Sequence, residues 1–281
     1  MGLRDTVEWA RTEWGIFRKG GEMGWSQRGR WVRQWVPFGA RTVGWVIVSI
    51  TAGPISGGAA STWAAKKWSQ SCAKGLRIYI EATGQKNVPD GGFVYVSNHE
   101  SLVDILVLGA SLPGDFKWAA KRSVMNIPFL GWHLRLAGHV PVDRNKGKDA
   151  AAAVTEAFES VLRGEKPLLV FPEGTRTADG KLKSFKTGAF QAAVLTGKPV
   201  VPVAISGTFA LMSRDEVDTG ASKDPEDRLV TVHIGEPLYP NPELEEPEAV
   251  TELRDRSRNA VAEMLAKARS AEAVAESAPR L

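Results

Sequence analysis

The sequence predicts an α/β protein: a mixed, largely parallel sheet flanked by helices, preceded by an N-terminal membrane-interacting helical segment. Short apolar runs typical of buried strands alternate with helical patterns from about residue 85 onward, which indicates a sheet with helices on both faces. Polar motifs directly follow several of these runs, where sites form in α/β proteins. The basic residues and tryptophans concentrate before residue 81, which sets the N-terminal segment apart.

The first 80 residues have a composition unlike the rest of the chain. They hold twelve Lys and Arg against four Asp and Glu, and eight of the ten tryptophans. The remaining residues hold twenty-four Lys and Arg against twenty-eight Asp and Glu. Tryptophan prefers the headgroup zone and Lys and Arg are attracted to anionic lipid, so we expect this segment to bind an anionic membrane surface. No nucleic-acid-binding module is recognisable, and we expect no such partner.

The N-terminal segment reads as helical in three parts. Residues 1–19 carry one apolar stripe and form the first predicted helix. Residues 42–65 contain no charge, but Gly53 and Pro54 interrupt them, so a weak membrane span, a re-entrant hairpin and a buried soluble helix all stay open. Residues 62–80 then read as an amphipathic helix, either lying in a membrane interface or packed on the core.

We predict three regions: the membrane-association segment 1–80, an α/β domain 81–240 and a C-terminal amphipathic helix with a polar tail at 241–281. The predicted strands are residues 92–96, 116–120, 139–142, 167–171, 199–205 and 229–234. The predicted helices after residue 81 are residues 102–112, a helix starting at 127, and 150–163, 188–195 and 248–277.

His99 and Asp104 form the first candidate site, at the junction of a strand and a helix. Five residues on a regular helix span about 140°, so the two side chains meet only if His99 lies in the entry turn. A carboxylate bound to one imidazole nitrogen leaves the other as a base. The alternative interpretation is a capping box, in which Ser101 and Asp104 begin the helix and His99 is an ordinary turn residue.

The second candidate site is the turn at residues 173–176, directly after the strand ending at Phe171. Gly174 permits a sharp turn, Thr175 adds a hydroxyl, and Arg176 has a planar fork suited to phosphate. Glu173 accepts hydrogen bonds from a substrate or anchors an arginine. The alternative is a tight turn with an internal Glu–Arg pair. Two further cations, Lys121 and Arg144, fall at the ends of predicted elements. They either converge on a cleft or are solvated surface charges.

Together these blocks resemble the lysophospholipid acyltransferase family, in particular 1-acylglycerol-3-phosphate acyltransferases of the bacterial PlsC type. Residues 98–104 match its N-H-x4-D block and residues 171–176 its F-P-E-G-T-R block. Residues 138–144 resemble a block ending in arginine, and residues 201–204 a V-P-V block. The resemblance covers about residues 60–236. His139 and Pro141 depart from it, because larger apolar residues are usual there.

The resemblance implies transfer of a fatty acyl group from acyl-CoA or acyl carrier protein to the sn-2 hydroxyl of lysophosphatidic acid, without an acyl-enzyme. His99 would be the base and Asp104 its orienting carboxylate. Lys121, Arg144, Glu173, Gly174, Thr175 and Arg176 would bind the acceptor. The expected location is the cytoplasmic face of the cell membrane. One cysteine and four histidines favour neither disulfides nor a His- or Cys-rich metal cluster, and we expect no metal or resident cofactor.

Three alternatives remain open from the residues. In the first, the acceptor is another lyso-lipid, such as a lyso-phospholipid or lyso-ornithine lipid. In the second, the chain is a non-catalytic lipid-binding protein of the membrane surface. In the third, Asp104 and Glu173 take part in metal-dependent hydrolysis.

Overall fold

The computed structural model describes residues 25–127, 130–142, 148–213, 219 and 226–277. The predicted helix at residues 1–19 and the candidate residue Arg144 lie outside the described residues.

Helices and strands alternate through most of the described chain. The helices are α1 (Trp25–Ala52), α2 (Ala59–Gly75), α3 (Asp104–Ser111), α4 (Arg122–Met125), α5 (Leu130–Leu136), α6 (Lys148–Arg163), α7 (Gly188–Thr196), α8 (Thr208–Leu211) and α9 (Glu246–Ser277). The strands are β1 (Tyr79–Thr83), β2 (Val94–Ser97), β3 (Lys117–Lys121), β4 (Val140–Val142), β5 (Leu168–Val170), β6 (Val200–Ser206) and β7 (Leu229–Ile234).

The strands form one sheet in the order β1-β7-β6-β2-β5-β3-β4. Every neighbouring pair is parallel except β6 and β7, which are antiparallel. The predicted mixed, largely parallel sheet is therefore confirmed. Central β2 pairs Val96 with Val170 on one side and with Pro202 on the other. The carboxyl ends of β2, β5 and β3 consequently meet at one edge, where the two candidate motifs emerge.

Each face of the sheet carries its own apolar core, because successive strand residues point to opposite sides. Tyr95 packs with residues of α1, α2 and α3, including Trp35, Cys72 and Leu106. Val94 and Val96 pack on the other face with residues of α6, α7 and α9. The predicted placement of helices on both faces is confirmed.

Helices α1 and α2 form an antiparallel hairpin that covers one face of the sheet. Trp45 Nε1 donates to Ser71 Oγ at 3.0 Å, and Trp68 Nε1 donates to Thr42 Oγ1 at 3.0 Å, so two indoles join the helices. The uncharged run at residues 42–65 supplies the end of α1, the turn and the start of α2. None of the helices in the described ranges has the length and apolar character that a membrane span requires.

One predicted element was wrong. The expected helix at residues 62–80 ends at Gly75, and Tyr79–Thr83 forms the edge strand β1, paired in parallel with β7. Arg228 fixes this change of direction, since its guanidinium donates to the main-chain oxygens of Leu76 and Arg77 at 2.6 and 3.1 Å.

Candidate active site

The loop that follows β2 is anchored to the neighbouring strand by Asn98. Its side-chain amide donates to the main-chain oxygen of Ile205 at 2.9 Å, and the main-chain N–H of Ile205 donates to Asn98 Oδ1 at 2.8 Å. Both residues are buried. This pair of bonds fixes the starting point of the loop that carries His99.

His99 and Asp104 are in hydrogen-bond contact. His99 Nδ1 lies 2.8 Å from Asp104 Oδ2. Asp104 is fully buried at the first position of α3, whereas His99 precedes the helix in the entry turn. The five-residue separation therefore brings the side chains together, because the chain between them is not a regular helix. With Nδ1 engaged by the carboxylate, Nε2 is the nitrogen left to act as a base.

Asp104 also holds the turn that presents His99. The same Oδ2 atom accepts hydrogen bonds from the main-chain N–H groups of Glu100 and Ser101, at 2.8 and 2.9 Å. The two bonds hold the turn before the helix and are not a capping box, because the N-cap of α3 is Val103 and no side-chain capping bond is formed there. Ser101 does not serve as a nucleophile partner of His99, since its hydroxyl donates to the main-chain oxygen of Met212 at 2.5 Å. The same Asp104 carboxylate therefore contacts His99 and holds the turn before α3.

Phe171 clamps the His99 ring from one side. The two rings are stacked, with centroids 3.9 Å apart and an angle of 12° between their planes. Trp118 packs against Phe171 in turn, at 6.2 Å between centroids. An imidazole held by a carboxylate and an aromatic face keeps one orientation, which suits a residue that must receive a proton along a fixed direction.

The turn after β5 is fastened directly to the His99 loop. Glu173 Oε1 accepts from the main-chain N–H of His99 at 2.8 Å, and its Oε2 accepts from that of Lys183 at 3.0 Å. The Thr177 N–H donates to the main-chain oxygen of His99 at 2.9 Å. Burial raises the pKa of Glu173, although both N–H groups oppose this. Glu173 thereby joins two loops, and its contact with substrate stays a prediction.

The remaining predicted binding residues lie around this junction. Gly174 has a φ of +74°, and an added Cβ would meet the Lys186 side chain, so the turn needs glycine. Thr175 is exposed and Arg176 is half-buried. Lys121, at the carboxyl end of β3, lines the same cavity as His99. Their roles stay predictions, as does that of Arg144 outside the described residues.

Glu100 and Arg269 were missed by the sequence reasoning. Arg269 of α9 donates to Glu100 Oε1 at 2.6 Å and to the main-chain oxygen of Gly180 at 2.9 Å. Burial raises the pKa of Glu100 to about 7, with a further increase from Asp104 and an opposing effect of Arg269. The buried polar position inside the N-H-x4-D block was a signal for Glu100, but nothing local indicates Arg269.

An apolar cavity of about 670 Å³ begins at His99 and continues under the α1–α2 hairpin. Its volume lies within the range of about 300–1,000 Å³ typical of small-molecule sites. The walls come from α1, α2, α3, β3 and α5, and include Phe38, Trp45, Trp63, Leu106, Trp118 and Leu134. A long apolar group fits such a space, while His99 lies at its polar end.

Among the residues with described positions, no group of three or more His, Cys, Asp or Glu is arranged to hold a metal ion.

Part of the chain that carries this arrangement is similar to a known family. The family model described as Acyltransferase matches residues 79–206, from β1 to the end of β6. Residues 79–206 are therefore similar to a domain of the acyltransferase family. The matched range contains the His99 loop, the turn at 173–176 and most of the sheet.

Solved and curated relatives agree with this assignment. The fold resembles the crystal structure of the 1-acyl-sn-glycerophosphate acyltransferase PlsC from Thermotoga maritima, with a TM-score of 0.60 and 28% identity, over 72% of this chain and 79% of that chain. A 1-acyl-sn-glycerol-3-phosphate acyltransferase of Chlamydomonas reinhardtii is 34% identical over 69% of this chain and 56% of its own length. A chloroplastic one from Arabidopsis thaliana is 40% identical over 53% of this chain and 41% of its own length. The chain therefore spans about half the length of these two relatives.

Proposed function

We propose that this protein transfers a fatty acyl group from an acyl thioester to the sn-2 hydroxyl of 1-acylglycerol-3-phosphate, giving phosphatidic acid. The observation that carries the proposal is the His99–Asp104 pair at the polar end of a cavity of about 670 Å³ with mostly apolar walls. The names of the relatives support lysophosphatidic acid as the acceptor. The donor is acyl-CoA or an acylated carrier protein.

His99 supplies general-base chemistry in this proposal. The acceptor hydroxyl attacks the thioester carbonyl while Nε2 takes its proton, and Asp104 stabilises the imidazolium through Nδ1. Collapse of the tetrahedral intermediate forms the ester, breaks the carbon–sulfur bond and releases the thiolate. The imidazolium then returns the proton to sulfur, so the base is regenerated. This series of reaction steps needs no acyl-enzyme, which agrees with the hydrogen bond that the Ser101 hydroxyl donates to the main-chain oxygen of Met212.

Cations near His99 bind the acceptor phosphate in this proposal. Arg176 lies next to Thr177, whose N–H is bonded to the His99 main chain, so its position relative to the base is fixed through the backbone. Lys183 supports the same turn by donating from Nζ to the main-chain oxygen of Arg176 at 3.0 Å. Guanidinium groups bind phosphate through two parallel hydrogen bonds. Lys121, Arg144 and the Gly174–Thr175 turn complete the proposed anion site.

The apolar cavity takes the acyl chain. Its walls are mostly aromatic and aliphatic side chains from both sides of the sheet-to-hairpin interface. Burying each methylene contributes about 0.8 kcal/mol. Binding energy collected along the chain orients the thioester carbonyl at His99, which is how remote contacts accelerate a reaction at a distant atom. We expect no metal or resident cofactor in this reaction.

Helix α1 supports association with a membrane surface. Its exposed apolar side chains Trp25, Val32, Val36, Val43 and Ile47 recur at helical spacing and form one stripe. Arg28, Arg30 and Arg33 add exposed basic groups near the start of this stripe. A helix with an apolar stripe and flanking arginines suits the interface of an anionic bilayer. We propose the cytoplasmic face of the cell membrane, and sedimentation with anionic vesicles measures the association.

The deciding experiment is acceptor-dependent release of free thiol from oleoyl-CoA. With lysophosphatidic acid present, the wild type should release thiol and form phosphatidic acid. His99→Ala should lower turnover by about 10²–10⁴-fold, the usual contribution of a general base. Exchanging lysophosphatidic acid for lyso-phospholipid and lyso-ornithine acceptors tests the alternative acceptors in the same preparation.

The control is the half-buried residue His233, whose Nδ1 lies within hydrogen-bond distance of the Thr83 hydroxyl at the far edge of the sheet. His233→Ala should leave thiol release near the wild-type rate. Acceptor-independent thiol release, or full activity of His99→Ala, would contradict the proposed mechanism. Lipid binding without thiol release would instead identify a non-catalytic lipid-binding protein.

A further inference from the structure

Two histidines that the proposed reaction does not use line the cavity away from its polar end. His133 lies in α5 and His139 directly before β4. Each is 7% exposed, and both line the cavity that begins at His99. Their rings lie close, with centroids 6.2 Å apart. A pair of imidazoles in a wall of tryptophan, leucine and valine needs a physical explanation, because buried polar groups normally have hydrogen-bond partners.

The hydrogen bond from Trp118 fixes the tautomer of His139. The Trp118 main-chain N–H donates to His139 Nδ1 at 3.2 Å, so Nδ1 carries no proton. Burial lowers the pKa of His139 to about 3, which keeps the ring neutral at physiological pH. The single ring proton is therefore on Nε2, the ring nitrogen farther from the main chain. No described residue accepts a hydrogen bond from that Nε2–H.

His133 is held in a similar way from the hairpin side. Its Nδ1 lies 2.6 Å from the hydroxyl of Ser49, a fully buried residue of α1. Burial lowers the pKa of His133 to about 4, so this ring is also neutral. Its Nε2 likewise has no hydrogen-bond partner in the described part of the chain. The two rings therefore present fixed polar edges within an otherwise apolar space.

The sheet register gives the depth of this polar position. Lys121, at the carboxyl end of β3, pairs with Val142, and Ala119 pairs with Val140. His139 is thus three residues before the strand end, about 10 Å along the strand at roughly 3.3 Å per residue. An acyl chain that starts at His99 and runs beneath the hairpin reaches His139 part-way along its length. The chain terminus and the thioester both lie elsewhere.

We propose that His139, together with His133, selects acyl chains that carry an oxygen atom in mid-chain, as a hydroxyl or a ketone. The oxygen accepts the hydrogen bond from His139 Nε2–H, which an unsubstituted chain leaves unsatisfied while excluding water. The inference rests on the proposed function, since it assumes that the acyl chain occupies this cavity. It accounts for a histidine at position 139, where the resemblance predicts a larger apolar residue.

The test is a positional series of hydroxystearoyl-CoA isomers, compared with stearoyl-CoA and with lysophosphatidic acid as acceptor. The isomers share the same polarity, so only the place of the oxygen differs. We expect one mid-chain position to raise kcat/KM by about 3- to 10-fold over its neighbours, the effect of one hydrogen bond. A ketone at the same carbon should keep the preference, because only an acceptor is required.

Two variants assign the preference to the histidine. His139→Phe should flatten the positional profile, whereas Val46→Ala, which changes another wall of the cavity without changing its polarity, should keep the same preferred position. A thermal unfolding scan of each variant checks that it is folded. If His139→Phe does not fold, the dependence of the wild-type kcat/KM on the position of the hydroxyl group tests the inference by itself.

The failure of this inference differs from failure of the proposed function. Equal kcat/KM values for stearoyl-CoA and all hydroxystearoyl-CoA isomers would overturn the inference without contradicting acyl transfer. A water molecule bound at His139 Nε2 would give this result. A preferred position that persists in His139→Phe would also overturn it. Absence of acceptor-dependent transfer from every thioester would overturn both.

Discussion

The two ends of the cavity are built in different ways. At the His99 end, polar groups from two short motifs are bonded to one another and to nearby backbone, as in the bonds of Asp104 to three donors. Under the hairpin, the walls come from side chains scattered over α1, α2, α3, β3 and α5. The polar end fixes geometry through directional bonds, whereas the apolar end fixes shape through packing. Turnover should therefore fall sharply when a residue of the polar end is changed. Acyl-chain selectivity should change gradually when a residue of the apolar end is changed.

The largest effect is expected at Asp104. In Asp104→Asn, an uncharged amide cannot stabilise the imidazolium, and the three donors lose a charged acceptor. We expect kcat to fall by about 10²–10⁴-fold. Steady-state thiol release measures it, with the exposed α9 residue Asp255 changed to Asn as a matched control. A loss below tenfold would show that the carboxylate only shapes the turn.

A smaller effect is expected at Arg176. Arg176→Ala removes the charge-assisted contact that we propose to the acceptor phosphate, and we expect the KM for lysophosphatidic acid to rise about tenfold with kcat nearly unchanged. The control is Lys181→Ala, which removes an exposed cation a few residues further along the chain. Unchanged acceptor saturation in Arg176→Ala would remove this residue from the phosphate site.

Narrowing the cavity at its β3 wall should alter acyl-chain selectivity instead of chemistry. Ala120 lines the cavity on β3, and Ala120→Phe fills part of that space. Each methylene that no longer fits loses about 0.8 kcal/mol, or about fourfold in kcat/KM. The kcat/KM of long-chain thioesters should fall by this factor for each methylene that no longer fits, while butyryl-CoA serves as the internal control. Equal losses for butyryl and stearoyl donors would indicate that the acyl chain lies elsewhere.

The smallest effect concerns the ionisation of Glu100. Its folded-state pKa of about 7 exceeds the ordinary value of 4.5, so the folded protein holds its proton more tightly than the unfolded chain. Wild-type stability should therefore fall relative to Glu100→Gln as pH rises from about 4.5 to about 7, and the difference should be constant above that window.

Urea unfolding at pH 5 and pH 8 measures the Glu100 effect. The free energy of unfolding of Glu100→Gln, minus that of the wild type, should be larger at pH 8. The same difference at both values would show that the folded and unfolded pKa values coincide.

The same contrast explains what the sequence could predict. The His99–Asp104 contact and the turn at 173–176 are local, so spacing and residue type were sufficient. Strands β2, β5 and β6 are buried apolar runs and were predicted to within one or two residues. Arg269 lies 169 positions from Glu100, and no local pattern indicates such a contact.

The missed strand β1 has a physical reason. Tyr79–Thr83 is an edge strand whose residues alternate between exposed and half-buried, so it lacks the apolar run of a central strand. Its first residues also continue the amphipathic stripe of α2, which made one long helix the simpler interpretation. The end of α2 depends on bonds from Arg228, about 150 residues away, to the main chain.

The contact between Arg269 and Glu100 has a practical consequence for shortening the protein. A C-terminal truncation that ends before residue 269 leaves all the sheet strands intact, yet it strips the countercharge from a buried carboxylate beside His99. Trimming the C-terminal part of α9 would thus perturb the candidate active site through a residue distant from it in the sequence. Expression tags and fusions are better placed beyond that arginine.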